Sequence, residues 1–167
     1  GGTFAGQLTI PQYSEQGVWT LANIYLRDNA GNYISPWGSQ ILDLDLGLAN
    51  SFEVSGVQDV TKPEVQKLNL SAYQFDVSQG DKTFDFTIDA SDNLSGISHA
   101  SITYQSPSGD QSISYGVNDS NLISGDILGG TFAGQLTIPQ YSEQGVWTLA
   151  NIYLRDNAGN YISPWGS

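Results

Sequence analysis

Three short segments hold the side chains best able to do chemistry. Residues 58–63 read Gln-Asp-Val-Thr-Lys-Pro, residues 90–97 read Ala-Ser-Asp-Asn-Leu-Ser-Gly-Ile, and residues 155–160 read Arg-Asp-Asn-Ala-Gly-Asn. Each brings one aspartate, Asp59, Asp92 or Asp156, and the last two add the amides of Asn93, Asn157 and Asn160. Carboxylate, amide and carbonyl oxygens are the donors that calcium takes, six to eight at a time. Gathered without a cation, the carboxylates would repel one another and raise each other's pKa. The same residues also make ordinary turns, because Asp and Asn side chains bond their own backbone and tolerate positive φ. Convergence of the three segments in space favours the metal reading; dispersal favours the turns.

Little else in the chain suggests chemistry. Cysteine is absent, which removes disulfides, thiolate zinc sites and cysteine nucleophiles. The single histidine, His99, lies among alternating small and apolar residues and reads as a surface strand residue with no nucleophile near it. There is no phosphate loop, zinc spacing or paired nucleophile and base, so no enzyme is expected.

The elements that must position these segments read as β-strands. Phe84, Phe86, Ile88 and Ala90 alternate with Thr83, Asp85, Thr87 and Asp89, a period of two with one apolar face. Phe132, Leu136 and Ile138 do the same, with Gly134 in the series. Residues 146–154 are nearly continuously apolar, as in a central strand covered on both sides. Further strands are expected near 51–55, 64–71, 97–105, 111–116 and 161–165. Residues 41–48 fit either a strand or a single helical turn. Tyr141 and Trp147 flank a turn and read either as a sugar-binding platform or as a corner tyrosine and a core tryptophan.

About seven short strands with Gly-, Asn- and Pro-rich turns predict an all-β, immunoglobulin-like antiparallel sandwich. In such a sandwich the three acidic segments lead into the first strand, join the second to the third, and join the sixth to the seventh. All three then fall at one pole, where Asp59, Asp92 and Asp156 could meet.

Residues 1–39 recur without a change as residues 129–167, an offset of 128. That period is too long for a solenoid and right for a whole domain, so the chain reads as tandem domains with a 128-residue repeat. Asp28, Asn29 and Asn32 are the first-copy counterparts of Asp156, Asn157 and Asn160. The stretch 56–63 has no apolar face, contains a Pro and reads as a linker. Residues 1–58 are then the C-terminal half of one domain, and 59–167 most of the next, lacking its final strand. Strands missing from the first half are expected from chain outside this segment or from neighbouring molecules.

Formal net charge is −12. One 128-residue unit, from Gln40 to Ser167, carries 15 acids and 4 bases. Phosphate binding needs a basic surface, so nucleic acid is excluded as an expected partner, and anionic membrane surfaces are disfavoured. No apolar run approaches the roughly 20 residues of a membrane span. An acidic surface serves solubility or divalent-cation binding.

The ordered set Asp59-Val-Thr-Lys-Pro63, Ala90-x-Asp92-x-x-Ser95-Gly96 and Asp156-Asn-Ala-Gly-Asn160 resembles bacterial immunoglobulin-like repeats of giant surface proteins. The nearest likeness is to the extender domains of repeats-in-toxin (RTX) adhesins, and it spans the whole 128-residue unit. The resemblance implies a spacer module of a secreted adhesin, anchored in the outer membrane of a Gram-negative bacterium. Its partners would be neighbouring repeats of the same chain, with ligands gripped by other domains. It also implies calcium near the linkers, with Asp59, Asp92 and Asp156 as ligands and Asn157 and Asn160 next. Asp43 and Asp45 read either as a second ligand set or as the solvent face of a strand, and the role of Trp165 stays open. A glycan- or protein-binding adhesion module and an accessory domain of a secreted hydrolase are the alternatives.

Overall fold

The computed structural model describes residues 2–42 and 50–164, so Asp43, Asp45 and Trp165 lie outside the described residues. The chain divides into two compact units, Gly1–Gln58 and Asp59–Ser167.

The first unit is sparse in regular structure. Its strands are β1 (Gly17–Thr20), β2 (Leu26–Arg27), β3 (Tyr33–Ile34) and β4 (Ser51–Val54), and one helical turn, α1, spans Ser39–Leu42. β1 pairs antiparallel with β4, Gly17 opposite Val54 and Thr20 opposite Ser51. β2 and β3 form a hairpin around Asp28–Asn32. The stretch 41–48, open between strand and helix in the sequence, begins with the last residues of α1; from Asp43 onward it lies outside the described residues.

The second unit is all-β and antiparallel. Its strands are β5 (Glu64–Leu70), β6 (Lys82–Ser91), β7 (Ile97–Gln105), β8 (Ser112–Val117), β9 (Leu122–Gly125), β10 (Gly129–Ile138), β11 (Thr148–Asp156) and β12 (Tyr161–Ile162). Two four-stranded sheets result, ordered β5-β6-β10-β9 and β12-β11-β7-β8. One apolar core draws on both sheets: Phe84, Phe86, Ile88 and Ala90 from β6, Phe132, Leu136 and Ile138 from β10, Ile97, Ala100 and Ile102 from β7, and Leu154 from β11. The alternation in β6 and β10 is the cause, since every second side chain points inward. Between Arg155 and Asp156 the β7–β11 register shifts, which turns both Ile97 and Ala100 inward despite their odd spacing. Gly134 keeps its place in the apolar series because the Phe86 ring fills the space: a methyl there would come within 2.7 Å of Phe86 and 2.8 Å of Tyr115.

Several expectations change. Residues 146–154 are not a strand covered on both sides: β11 starts at Thr148, Val146 is exposed, and most of β11 is only half-buried. Tyr141 is no packed corner residue, being exposed at φ 67°, while half-buried Trp147 donates its indole N–H to the Glu143 carbonyl at 3.0 Å. β9 lacks a strand signature and exists through pairing with β10. His99 is half-buried on β7, its ring 5.9 Å from that of Tyr153.

Candidate metal centre

The site is built where β5 begins, β6 ends and β11 ends. Asp59 lies four residues before Pro63, whose burial anchors the start of β5. Its Oδ1 accepts the Thr61 N–H at 3.0 Å, closing an Asx-turn, and its Oδ2 accepts the Ser95 N–H at 2.9 Å from the β6–β7 loop. Asp92 leaves β6, where its N–H donates to the Leu128 carbonyl at 2.9 Å. Its Oδ2 accepts Leu94 N–H at 3.1 Å and Gly96 N–H at 2.7 Å. Gly96 must be glycine here, because φ is +82° and a side chain would run into Ile127 at 2.8 Å. Asp156 ends β11, its Oδ1 accepting Gly159 N–H at 2.6 Å and Asn160 N–H at 2.8 Å.

The three carboxylates converge: one oxygen from each of Asp59, Asp92 and Asp156 lies within 4.8 Å of the others, and all three residues are buried. Oxygens sharing one calcium at 2.3–2.6 Å can stand at most about twice that far apart, so the spacing fits the ion. Asp92 Oδ1 has no hydrogen-bond partner, although the residue is only 8% exposed. Such an orphaned charged oxygen normally costs several kcal/mol, order of magnitude, unless a cation or donor meets it. Repulsion compounds the cost: at an effective dielectric near 20, two unit charges this close oppose each other by roughly 3 kcal/mol. Burial is the largest single influence on the Asp59 carboxyl and pushes its pKa up, but the Ser95 and Thr61 donors together outweigh it and hold the group below its ordinary value.

The asparagines brace this arrangement. Asn160 donates its amide to Asp156 Oδ2 at 2.8 Å and to the Asp59 carbonyl at 3.0 Å. Asn157 donates to the carbonyls of Ser95 and Gly96 at 2.9 and 3.1 Å. Asn93 is exposed and reaches only the Thr61 hydroxyl, at 3.3 Å. Ser95 had no assigned role in the sequence, yet it joins all three loops: its N–H meets Asp59, its hydroxyl lies 3.5 Å from Asp92, and it accepts the Ala158 N–H at 3.2 Å. Its signal was its place beside Gly96 in the run Asp92-x-x-Ser95-Gly96. In the first unit Asp28 and Asn32 form the same turn, and Asn29 lies within it. Among the described residues the three-acid grouping contains only Asp59, Asp92 and Asp156.

The model of one domain family, described as Domain of unknown function (DUF7035), matches residues 58–164. The chain belongs to the DUF7035 family. The DUF7035 match begins one residue before Asp59 and takes in all three acidic loops and every strand of the second unit. No curated protein and no solved structure matches the chain.

Proposed function

We propose that this DUF7035 chain is a structural spacer, an extender module of a bacterial surface adhesin, stiffened by calcium where each domain begins. The observation that carries the reading is the buried trio Asp59, Asp92 and Asp156 with the unpartnered Asp92 Oδ1. Asp59 is the first residue of the second unit, so an ion held there ties the incoming chain to the loops after β6 and β11.

The strand order supports an immunoglobulin-like reading, since β5-β6-β10-β9 follows the A-B-E-D order and β7, β11 and β12 take the places of C, F and G. The perfect 128-residue repeat supports a tandem array, and the resemblance to RTX extender domains supports a secreted, cell-surface setting. Among the described residues no helix is long and apolar enough to cross a membrane. Ten-residue strands give each domain roughly 35–45 Å of reach. A spacer of this kind does no catalysis and leaves ligand binding to other domains. Asp59, Asp92 and Asp156 would hold the ion, which would supply charge neutralisation and a rigid junction.

Thermal unfolding of the full chain, in millimolar calcium and in excess EDTA, tests this. At a free calcium 100 times the Kd, a site present only in the folded state contributes about 2.7 kcal/mol. The expected result is a midpoint more than about 10 °C higher in calcium. Coincident transitions in the two buffers would return the three loops to simple turns.

A further inference from the structure

β9 leaves part of its neighbour uncovered. Among the described residues it pairs with β10 only between Gly130 and Phe132, whereas β10 runs on beside β6 to Ile138. Past the end of β9, β10 faces β8, the edge strand of the other sheet, and the two bound a cleft of about 420 Å³. Its walls are Thr83 of β6, Gln135 and Thr137 of β10, and Ile113, Ser114 and Tyr115 of β8. That volume lies within the roughly 300–1,000 Å³ of small-molecule sites.

The walls are amphipathic and carry no charged side chain. Tyr115 is 41% exposed yet held in place, at 71° to the Phe86 ring with centroids 6.0 Å apart, and the bare Gly134 lets it lie close on β10. Thr83 and Thr137 share one hydrogen bond at 2.9 Å, so one hydroxyl proton of the pair remains to donate. The Gln135 amide is fixed by its partner: Asp85 only accepts, so Gln135 turns Nε2 to Asp85 Oδ1 at 2.8 Å and keeps Oε1 as an acceptor. Donors, acceptors and one aromatic ring without charge match a neutral sugar. A pyranose carries hydroxyls at its rim and weakly positive C–H groups on its faces, which suit the negative face of an aromatic ring. Anionic ligands find no cation, because Thr83 to Leu154, the stretch that holds every wall residue, has seven Asp or Glu and no Lys or Arg.

We propose that this cleft binds a neutral oligosaccharide of roughly two or three rings, with Tyr115 as the platform and Gln135, Ser114 and the Thr83–Thr137 pair as the hydrogen-bonding rim. The site adds a ligand contact to a domain that the spacer reading leaves without one. It also stands apart from the calcium reading, since Thr83 lies eight residues along β6 from Ser91, about 27 Å from the acidic end of that strand.

Proton–nitrogen correlation NMR of the full chain, titrated with maltotriose, cellotriose, xylotriose and mannotriose, tests this. At least one trisaccharide should move the amide signals of Ile113, Ser114, Tyr115, Gln135 and Thr137, and do so equally in calcium and in EDTA. For that sugar Tyr115→Ala should raise the Kd at least about tenfold and Gln135→Ala severalfold. Tyr141→Ala, which removes an exposed aromatic outside the cleft, should leave it unchanged. The same spectra report whether each variant is folded, and Gln135→Ala, at an exposed position, carries the test if Tyr115→Ala is not. The proposal is overturned if none of the four sugars binds, if binding needs calcium, if the moved signals cluster at Tyr141 or the acidic pole, or if the folded cleft variants bind as the parent does.

Discussion

Asp28 and Asp156 close the same turn with the same bonds, yet only Asp156 stands beside two other buried carboxylates. The Asn32 N–H and amide reach Asp28 at 2.8 and 2.7 Å, and those of Asn160 reach Asp156 at 2.8 and 2.8 Å. The pair separates turn formation from the proposed ion binding within one molecule. Asp156→Asn should abolish the calcium-dependent rise in the unfolding midpoint of the full chain, and Asp28→Asn should leave it unchanged. Equal losses in the two variants would show that the turn, and not the trio, is what responds to calcium.

Asp92 offers a test of opposite sign. Asp92→Asn keeps an oxygen for the Leu94 and Gly96 N–H groups, turns the orphaned oxygen into a donor, and removes one of the three grouped carboxylates. In EDTA this variant should be more stable than the parent by about 1–3 kcal/mol, the cost of an unsatisfied buried acceptor. In calcium it should be the less stable of the two. Denaturant titrations under both conditions read the crossover, and a variant weaker in both would mean that the orphaned oxygen costs the folded state nothing.

Glu143 should give a pH signature well away from the trio. Its carboxylate accepts the Ser108 hydroxyl at 2.6 Å and the Ser108 N–H at 3.1 Å, and these bonds hold its pKa below the ordinary 4.5. A depressed folded pKa contributes stability that is present above the unfolded value and lost as pH falls through the folded one. The gap in unfolding midpoint between the parent and Glu143→Gln should therefore be fully open above about pH 4.5 and close as the solution is acidified below it. A gap that stays constant across that window would mean the ionised carboxylate is not what stabilises the Ser108 turn.

Gly134 and Gly6 form a matched pair. A methyl at Gly134 meets Phe86 and Tyr115, whereas nothing lies within 4 Å of one at Gly6. Gly134→Ala should cost about 1–3 kcal/mol by overpacking, and Gly6→Ala should fall within about 0.5 kcal/mol of the parent. Chemical denaturation checks both, and comparable costs would place residues 1–10 in a packed environment.

The duplicated segment shows which features can be read from sequence. Tyr13 and Tyr141 sit at φ 66° and 67°, and Trp19 and Trp147 each donate to the carbonyl four residues back at 3.0 Å. These arrangements arise from neighbours in the chain, so they form in both copies and are legible locally. The strand at Gly129–Ile138 is different: its alternation states a capacity for burial, realised only where β6 and β9 supply partners. β9 itself, four residues of Leu-Ile-Ser-Gly, was invisible because pairing alone makes it a strand. The same holds at the acidic pole. Three aspartates and their turns were readable, but the Ser95 junction joins loops 36 and 63 residues apart, and the stranded Asp92 oxygen is a property of the assembled cluster.

The pairing of β5 has a mechanical meaning. β5 is an edge strand paired antiparallel with β6 over six opposed residue pairs, and its first residue, Glu64, lies opposite Ser91 at the acidic pole. Inter-strand hydrogen bonds run across the strands, so tension applied at that pole along β5 loads them in shear. A force that reaches the domain through Asp59 meets the bond from Ser95 first. It then meets the β5–β6 hydrogen bonds together, instead of peeling them away one after another.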